Sequence, residues 1–252
     1  MLLVLVMSGA GSARPAADDT PHWVALRRRM VAEQLRGRDI TDPRVLDAME
    51  RVPRQAFVPE SLRPDAYADR ALPIGGGQTI SQPYIVALMS QLLALRGSER
   101  VLEIGTGSGY HAAVLSCLAH EVYSIEIDPQ LAASARERLV ALGFATVNVR
   151  AGDGFLGWPE AAPFDAIVGT AAAPRVPEPL VAQLREGGRL VMPIGSGDDQ
   201  QLMAGVKHEG RLSLRSVTDV LFVPMTGKVR TPEPVPAPTL RKDPLPPGEG
   251  SR

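Results

Sequence analysis

The chain has 252 residues, of which 44% are apolar, and this content is enough to bury one substantial hydrophobic core. Its formal net charge of -1 gives no reason to expect nucleic acid or a membrane surface as the main partner. The single cysteine, Cys117, excludes an internal disulfide, and the four histidines show no metal-ligand spacing, so we expect no metal site.

The N-terminus combines an apolar run at residues 1–7 with small residues at 8–13, as a signal peptide does. The run is too short to span a bilayer, and it lacks a basic segment before it and a clear cleavage triplet. We therefore expect residues 1–22 to be a signal-like or disordered extension of a cytoplasmic protein. Export to the periplasm through this apolar N-terminus is the alternative.

Two helices are predicted next. Apolar side chains recur at helical spacing over residues 23–35, which predicts an amphipathic helix with the three arginines at positions 27–29 on its solvent face. A second short helix is predicted around residues 45–49, before Pro53 ends it. Both helices come well before the first predicted sheet strand, so we expect residues 23–75 to form a helical cap.

A glycine-rich segment follows at residues 73–84. Three consecutive glycines, 75–77, are followed by four hydrogen-bonding side chains, Gln78, Thr79, Ser81 and Gln82. This composition is costly in a plain connector, and it predicts a loop that contacts a ligand, with an ordinary glycine loop as the alternative. Pro83 then begins a helix predicted over residues 85–93, whose first turn offers free N–H groups to a carboxylate.

An apolar strand predicted over residues 101–104 runs into a glycine turn with Gly105, Gly107 and Gly109, and a helix follows. Glycines at alternate positions allow a nucleotide-like ligand to lie against bare backbone. The dinucleotide fingerprint requires its third glycine one residue later, where this chain has Tyr110, and this argues against NAD.

The same strand carries Glu103. A carboxylate beside the turn would repel a pyrophosphate, but it can pair with a cationic aminoacyl group. A sulfonium cofactor therefore suits the turn better than a dinucleotide does. Glu103, Gly105, Gly107 and Gly109 are candidate cofactor-binding residues.

Two further acids follow at predicted strand ends. Glu126 lies in the strand predicted over residues 121–128, at a distance from the glycine turn where an acid can bind both ribose hydroxyls. Asp128 would point to the same side, and we favour Glu126. Asp153, followed by Gly154, comes after the next apolar run and can accept a hydrogen bond from an adenine amino group. Glu126, Asp153 and Gly154 complete the candidate cofactor site.

Strands and helices continue to alternate after the third acid. A strand is predicted over residues 165–169 and a helix over residues 177–184, which Gly187-Gly188 ends before the next strand. The order predicts a mostly parallel, doubly wound α/β sheet within residues 76–228. Thr170 is the first residue of a short segment of small residues at the end of this strand. These small side chains either form the floor of a peptide site or simply pack. The Pro-rich residues 229–252 are expected to be a disordered tail.

Several motifs resemble, in order, those of the protein-L-isoaspartate O-methyltransferase family. They lie at residues 29–35, 44–49, 52–59, 77–83, 152–154, 163–168, 170–174, 184–195 and 222–227, together with the glycine turn. The resemblance covers residues 23–228. It implies a Rossmann-like, S-adenosylmethionine-dependent methyltransferase that esterifies the free α-carboxylate of L-isoaspartyl residues in damaged proteins and peptides, which is a repair reaction.

The resemblance also implies roles within the glycine-rich segment. Ser81 stands at the family's active-site position, where its hydroxyl would orient the substrate carboxylate. Thr79, Gln82 and Thr170 would contact the substrate, and the glycines at 75–77 would let the loop close as a lid. A substrate carboxylate is already ionised at neutral pH, so no general base is required. His111 is expected to be a packing or an exposed residue and Cys117 to fill the core, and neither is expected to react.

Two alternative functions remain open. One is a methyltransferase of the same fold that acts on another carboxylate or on a small molecule. The other is a non-catalytic cofactor-binding module, which would be favoured if Ser81, Glu126 or Asp153 were missing, and all three are present. We expect isoaspartyl proteins and peptides as partners, neither nucleic acid nor membrane, and a monomeric protein.

Overall fold

The computed structural model describes residues 19–230. Residues 1–18 of the predicted signal-like or disordered extension and residues 231–252 of the predicted Pro-rich tail lie outside the described residues. Pro21 and His22, which the prediction placed in the extension, already belong to the first helix. Within residues 19–230, no helix combines the length and the apolar character that crossing a membrane requires.

Helices and strands alternate along most of the chain. The helices are α1 (Pro21–Met30), α2 (Pro43–Arg51), α3 (Pro83–Leu93), α4 (Tyr110–Ser116), α5 (Pro129–Ala141) and α6 (Glu178–Gln183). The strands are β1 (Leu72–Gly75), β2 (Gln78–Ile80), β3 (Arg100–Ile104), β4 (Glu121–Glu126), β5 (Val147–Ala151), β6 (Phe164–Gly169), β7 (Leu184–Ser196), β8 (Asp199–His208) and β9 (Arg211–Asp219). A π-helical turn, Val31–Arg36, extends α1.

The main sheet has the strand order β5-β4-β3-β6-β7-β8-β9. The first five strands in this order, β5, β4, β3, β6 and β7, pair in parallel, whereas β8 and β9 are antiparallel to their neighbours. The chain builds outward from β3 in one direction and then from β6 in the other, so the strand order reverses between β3 and β6. This confirms the predicted mostly parallel, doubly wound α/β sheet, and it places a ligand-binding crevice at the carboxyl ends of those strands.

Apolar side chains cover both faces of the sheet. In β3, Val101 belongs to the core cluster shared with the N-terminal helices, and the adjacent Leu102 belongs to the cluster on the opposite face. Successive strand residues point to opposite faces, and each face here is covered by helices or loops. The near-continuous apolar run of β3 is the result.

The N-terminal helices form a cap, but one predicted surface residue lies in its interior. Arg28 and Arg29 are exposed, as expected, whereas Arg27 is buried. Its Nη2 donates to Asp19 at 2.8 Å and its Nη1 to the Tyr67 hydroxyl at 3.1 Å. The prediction of a solvent-facing Arg27 was wrong because a guanidinium can be buried when it is paired with a carboxylate and hydrogen-bonded.

The glycine-rich segment, predicted as a loop, is a β-hairpin. Strands β1 and β2 pair antiparallel, and the turn runs through Gly75, Gly76 and Gly77, whose φ angles are +96°, +60° and +71°. Only glycine adopts such angles without steric cost, which explains three glycines in a row. The expected boundary between cap and sheet domain, at residues 75 and 76, falls inside this turn, and one core cluster joins the cap to the sheet.

The segment between α6 and β7 also differs from the prediction. Helix α6 ends at Gln183, and β7 begins at Leu184 with a register shift against β6, so Gly187-Gly188 lie in the strand and do not end the helix. Lys207 of β8 donates to the carbonyl oxygens of Val181 and Leu184 at 2.8 and 2.7 Å. A cation from a strand far along the chain thus satisfies the end of this helix, which local sequence does not indicate.

Candidate functional site

A cleft with an empty volume of about 790 Å³, its open mouth included, lies at the carboxyl ends of β3, β4 and β6. Its size is within the range of small-molecule sites. The candidate residues in its lining are Thr79, Ser81, Glu103, Gly105, Gly107, Glu126, Gly154 and Thr170. The sequence therefore placed most of the candidate residues around one cavity, while Gln82, Gly109 and Asp153 stand beside it.

The glycine turn forms one side of the cleft. Gly105, Gly107 and Gly109 have φ angles of +97°, +52° and +89°. A Cβ on Gly105 would stand 2.4 Å from the Thr170 hydroxyl, and one on Gly109 would stand 3.3 Å from Leu139. Gly105 and Gly107 border the ligand space, whereas Gly109 serves as the N-cap of α4 and packs against α5.

Glu126 ends β4 and is 5% exposed. Its Oε2 accepts a hydrogen bond from the Gly107 N–H at 2.8 Å, and its Oε1 accepts one from the Asp128 N–H at 3.1 Å. The Asp128 carboxylate caps α5 by accepting from Gln130 N and Leu131 N. Of the two acids considered for the ribose, Glu126 is the one that borders the cleft.

Glu103 is completely buried in β3 and borders the same cleft. Its Oε2 accepts a hydrogen bond from the Ser124 hydroxyl, whereas its Oε1 has no hydrogen-bond partner among the residues that the structure describes. Burial raises the pKa of Glu103 to about 8, with a further contribution from the nearby Glu126 charge. A buried carboxylate oxygen without a donor is costly unless a ligand provides one.

His111 also lines the cleft, so the expected packing residue is a wall of the site. Its Nε2 lies 3.1 Å from the Ser90 hydroxyl of α3, and its Nδ1 lies 3.9 Å from Glu103 Oε1. Burial lowers the pKa of His111 to about 3, so the ring is neutral at pH 7. The sequence offered no signal for this placement, because no spacing rule links position 111 to position 90.

The β-hairpin contributes Thr79 and Ser81 from the opposite side. Gln82 follows as the N-cap of α3. The predicted free N–H groups of this helix include that of Tyr84, which instead donates to Asp69 Oδ1 at 3.4 Å. The polar residues that the hairpin and the residue after it bring to the cleft are therefore Gln78, Thr79 and Ser81.

Arg54 supports the hairpin from behind, and sequence reasoning missed it. Its guanidinium is fully buried, donates through Nη2 to the Ser81 carbonyl at 2.7 Å, and donates through Nε to the Ala66 carbonyl at 2.7 Å. The guanidinium carbon lies 4.8 Å from the centroid of the Tyr110 ring. In the sequence, Arg54 follows Val52-Pro53 and looks like part of a helix end. Its role becomes visible only in the structure, where it contacts Ala66 and Ser81.

Asp153 and Gly154 behave differently from each other. Asp153 Oδ1 accepts from the Phe155 N–H at 2.9 Å, and its Oδ2 accepts from the Lys228 N–H at 2.8 Å. Gly154 borders the cleft, where a Cβ would stand 2.4 Å from Ile104. Asp153 thus anchors the C-terminal segment in this structure, and its contact with adenine stays a prediction.

That C-terminal segment, residues 223–226, closes another side of the cleft and was not predicted to do so. Met225 N donates to the Ala172 carbonyl at 2.7 Å, and Ala172 N donates to the Val223 carbonyl at 2.9 Å. Thr170, two residues earlier, uses its hydroxyl to bond the Gly105 carbonyl at 2.6 Å. Thr170 therefore stabilises the glycine turn, and only the lone pairs of its oxygen remain for a ligand.

Comparison with known proteins gives consistent matches. The model of the protein-L-isoaspartate(D-aspartate) O-methyltransferase family matches residues 26–230. Among curated proteins, the chain is 57% identical to protein-L-isoaspartate O-methyltransferase 2 of Pelobacter propionicus over 203 residues, which cover 80% of this chain and 90% of that protein. It is 58% identical to the protein of the same name from Marinobacter nauticus, over 81% of this chain and 94% of that protein.

Two solved structures superimpose on about four fifths of this chain. A protein-L-isoaspartate O-methyltransferase structure superimposes with a TM-score of 0.71 at 30% sequence identity, and the match covers 80% of this chain and 67% of that one. A Plasmodium falciparum protein described as an enzyme of the same kind, in complex with S-adenosyl-L-homocysteine, superimposes with a TM-score of 0.69 at 26% identity over 79% of this chain and 98% of that one.

Proposed function

The chain belongs to the protein-L-isoaspartate(D-aspartate) O-methyltransferase family, and we propose that the cleft at the carboxyl ends of β3, β4 and β6 is its catalytic site. The enzyme transfers a methyl group from S-adenosylmethionine to the free α-carboxylate of L-isoaspartyl residues in damaged proteins and peptides. We further propose roles in that reaction for individual residues of the cleft.

The residues of the cleft fit S-adenosylmethionine. Glu103 presents a buried oxygen that lacks a hydrogen-bond donor within residues 19–230, and the cofactor carries an α-ammonium group that can supply one. When bound, the cofactor supplies an electrophilic methyl group on a sulfonium. Its positive charges match the two acids, Glu103 and Glu126, that border the cleft.

Three features of the chain would hold the cofactor. Gly105 and Gly107 border the cleft without side chains, so the cofactor could approach their backbone closely. Glu126 would accept the ribose hydroxyls, since each of its oxygens accepts one backbone N–H and keeps a further lone pair. Gly154 leaves room beside Ile104 for the base, and Asp153 remains the proposed partner of the adenine amino group.

Ser81 would orient the substrate. Its side chain borders the cleft. The hydroxyl would donate a hydrogen bond to one oxygen of the isoaspartyl α-carboxylate, which would leave the other oxygen to attack the methyl group. Thr79 borders the cleft from the same hairpin and would contact the peptide, with Gln82 further along. Thr170 would form part of the floor, contributing packing and an acceptor oxygen.

No general base is required. A carboxylate with an ordinary pKa is ionised at pH 7 and attacks directly. The opposite charges of carboxylate and sulfonium cancel as the methyl moves, so a site that excludes water and aligns the reactants provides most of the acceleration. The hairpin and residues 223–226 are the elements that restrict water access here.

We also propose that a single chain is active and that it works in the cytoplasm. A single chain supplies both the candidate cofactor residues and the candidate substrate residues of the cleft, which supports activity as a monomer. Sequencing of the mature N-terminus after cell fractionation tests the location. A cleaved N-terminus in the periplasmic fraction would favour the export alternative.

The unpaired, buried Glu103 oxygen beside the glycine turn and Glu126 is the observation that carries the site assignment. The test is methyl transfer from labelled S-adenosylmethionine to two peptides that differ only in L-isoaspartate or L-aspartate at one position. We expect base-labile label on the isoaspartyl peptide alone, formed roughly tenfold or more slowly in Ser81→Ala and Glu126→Ala. Full activity in both variants would show that the reaction occurs elsewhere.

A further inference from the structure

The hydrogen-bond chain behind His111 determines which of its nitrogens carries the proton. The Ser90 hydroxyl donates to the Val86 carbonyl at 2.8 Å within α3. A serine hydroxyl has one proton, and a carbonyl can only accept, so that proton is committed. The 3.1 Å contact between Ser90 Oγ and His111 Nε2 therefore requires Nε2–H as the donor. In the neutral ring, Nδ1 is then the unprotonated nitrogen and can only accept.

The ring is neutral at pH 7. His111 is 7% exposed, and its burial lowers the pKa to about 3. The ionisable group that faces it is Glu103 of β3, whose own pKa is raised to about 8, and Glu126 of β4 lies beside Glu103. The polar group that faces it from α3 is Ser90, which does not titrate.

When Glu103 is ionised, as a bound cation makes it, two hydrogen-bond acceptors share one corner of the cleft. His111 Nδ1 and Glu103 Oε1 lie 3.9 Å apart, which is too far for a hydrogen bond between them even when Glu103 is protonated. Glu103 Oε1 accepts from no group in the described part of the chain. Both residues line the cleft, so a ligand can reach them.

A corner with two acceptors needs a ligand group that has at least two protons to donate. An ammonium group carries three and adds a positive charge that a carboxylate binds well. A hydroxyl would satisfy only one of the two atoms, and a ligand carboxylate would satisfy neither. The chemistry of the corner thus selects an amine over the other polar groups of a nucleoside-linked amino acid.

We propose that His111 is a cofactor-binding residue, whose Nδ1 accepts a hydrogen bond from the α-ammonium group that Glu103 binds, and that Ser90 fixes the tautomer this requires. The inference rests on the proposed function, since it assumes that the cleft binds S-adenosylmethionine and its product. It assigns to the α3–α4 pair a part in recognising the aminoacyl end of the cofactor.

Calorimetric binding tests the assignment without measuring turnover. S-adenosylhomocysteine is compared with the analogue in which hydrogen replaces the α-amino group, in wild type, His111→Phe and Ser90→Ala. The wild type should prefer the amino compound, and His111→Phe should reduce that preference about tenfold, as loss of a charge-assisted hydrogen bond implies. Ser90→Ala keeps the ring but frees its tautomer, so we expect a smaller reduction, about two- to fivefold.

Methylthioadenosine, which lacks the aminoacyl group, is the matched control ligand and should bind all three proteins alike. Nitrogen-15 NMR of His111 should show a protonated Nε2 and an unprotonated Nδ1, and the Nδ1 resonance should move with S-adenosylhomocysteine and not with the desamino analogue. An unchanged amino preference in both variants, or an Nδ1–H tautomer, would overturn the role of His111 alone. Failure of S-adenosylhomocysteine to bind the wild type would overturn the proposed cofactor site as well.

Discussion

The carbonyl oxygen of Ser81 accepts a hydrogen bond from Nη2 of Arg54 at 2.7 Å, and this contact joins the cap to the hairpin side of the cleft. Arg54 is fully buried and shares its guanidinium between this carbonyl and that of Ala66, with the ring of Tyr110 beneath it. Because Tyr110 begins α4 directly after the glycine turn, one side chain fixes the hairpin relative to the cofactor side of the site.

Replacement of Arg54 by lysine should loosen that connection. Lysine lacks the planar fork and cannot satisfy both carbonyl oxygens, and an unsatisfied buried acceptor costs about 1–3 kcal/mol. We expect the free energy of unfolding to fall by roughly that amount in urea titrations, and the KM for an isoaspartyl peptide to rise several-fold while the Kd for S-adenosylhomocysteine changes little. Arg51→Lys, at an exposed ion pair with Asp47, is the control and should change neither quantity appreciably. An equal loss of peptide and cofactor affinity in Arg54→Lys would indicate a purely structural role.

The hydroxyl of Ser81 should matter for turnover. A single neutral hydrogen bond contributes about 1 kcal/mol, but a misplaced carboxylate loses alignment with the methyl group as well. Ser81→Ala should therefore lower kcat roughly ten- to a hundredfold, measured at saturating cofactor with the paired peptides. Ser116→Ala removes a hydroxyl that bonds Ala113 at the far end of α4, and it should keep the wild-type kcat. Equal rates for Ser81→Ala and wild type would contradict the orienting role.

Local patterns were sufficient to predict the sheet and the glycine turn. The apolar run of β3, the positive-φ glycines after it and the strand-end Glu126 each follow from short-range chemistry, and all three stand where the pattern placed them. The antiparallel pair β8 and β9 was not predicted, although β8 alternates between buried and exposed positions over its first residues. Two-residue turns that contain glycine, Gly197-Asp198 and Glu209-Gly210, flank β8, so a local hairpin signal was present and was missed.

Buried polar groups account for most of what the sequence did not reveal. Arg27 and Arg54 look like ordinary surface or turn arginines. Their burial depends on Tyr67 and Ser81, which lie far along the chain, and for Arg27 also on Asp19 just before its helix. The corner formed by His111 and Glu103 has the same origin, because it requires α4 to pack beside β3. Long-range pairing of this kind has no local period or spacing that a sequence pattern can report.

Glu103 should reduce the stability of the ligand-free enzyme as the pH rises. Its pKa is raised from 4.5 to about 8 in the folded protein, so the folded state holds this proton more tightly than the unfolded chain does. The stabilising effect of the protonated form is complete below pH 4.5, and it is lost as the pH rises towards 8, by up to about 1.4 kcal/mol per pH unit. Glu103→Gln cannot ionise, so the Tm of the variant relative to wild type should be higher at pH 8 than at pH 5.

At pH 8, saturating S-adenosylhomocysteine should raise the Tm of the wild type above that of Glu103→Gln. The reason is that its ammonium group stabilises the ionised carboxylate, which only the wild type has. Thermal unfolding at pH 5 and pH 8, with and without the ligand, gives the difference in Tm between variant and wild type under four conditions. Other titrating groups are the same in both proteins, so their effects cancel in that difference. A difference in Tm that does not depend on pH would show that Glu103 already has a donor, and the corner beside His111 would then not need an amine.

Gly105 should tolerate no side chain, for reasons that can be separated experimentally. An added Cβ would stand 2.4 Å from the hydroxyl of Thr170, and the φ of +97° is itself unfavourable for alanine. Gly143 has a similar φ of +85°, and no described atom lies within 4 Å of its added Cβ, so Gly143→Ala reports the backbone cost alone. That cost is on the order of 1–2 kcal/mol.

We expect the free energy of unfolding of Gly105→Ala to fall about 2 kcal/mol further than that of Gly143→Ala in urea titrations, since Thr170 must give up its bond to the turn. The same variant should bind S-adenosylhomocysteine at least tenfold more weakly, whereas Gly143→Ala should bind it normally. If the two substitutions changed stability and S-adenosylhomocysteine affinity equally, the glycine turn would accommodate a side chain at Gly105 and would not shape the cofactor site.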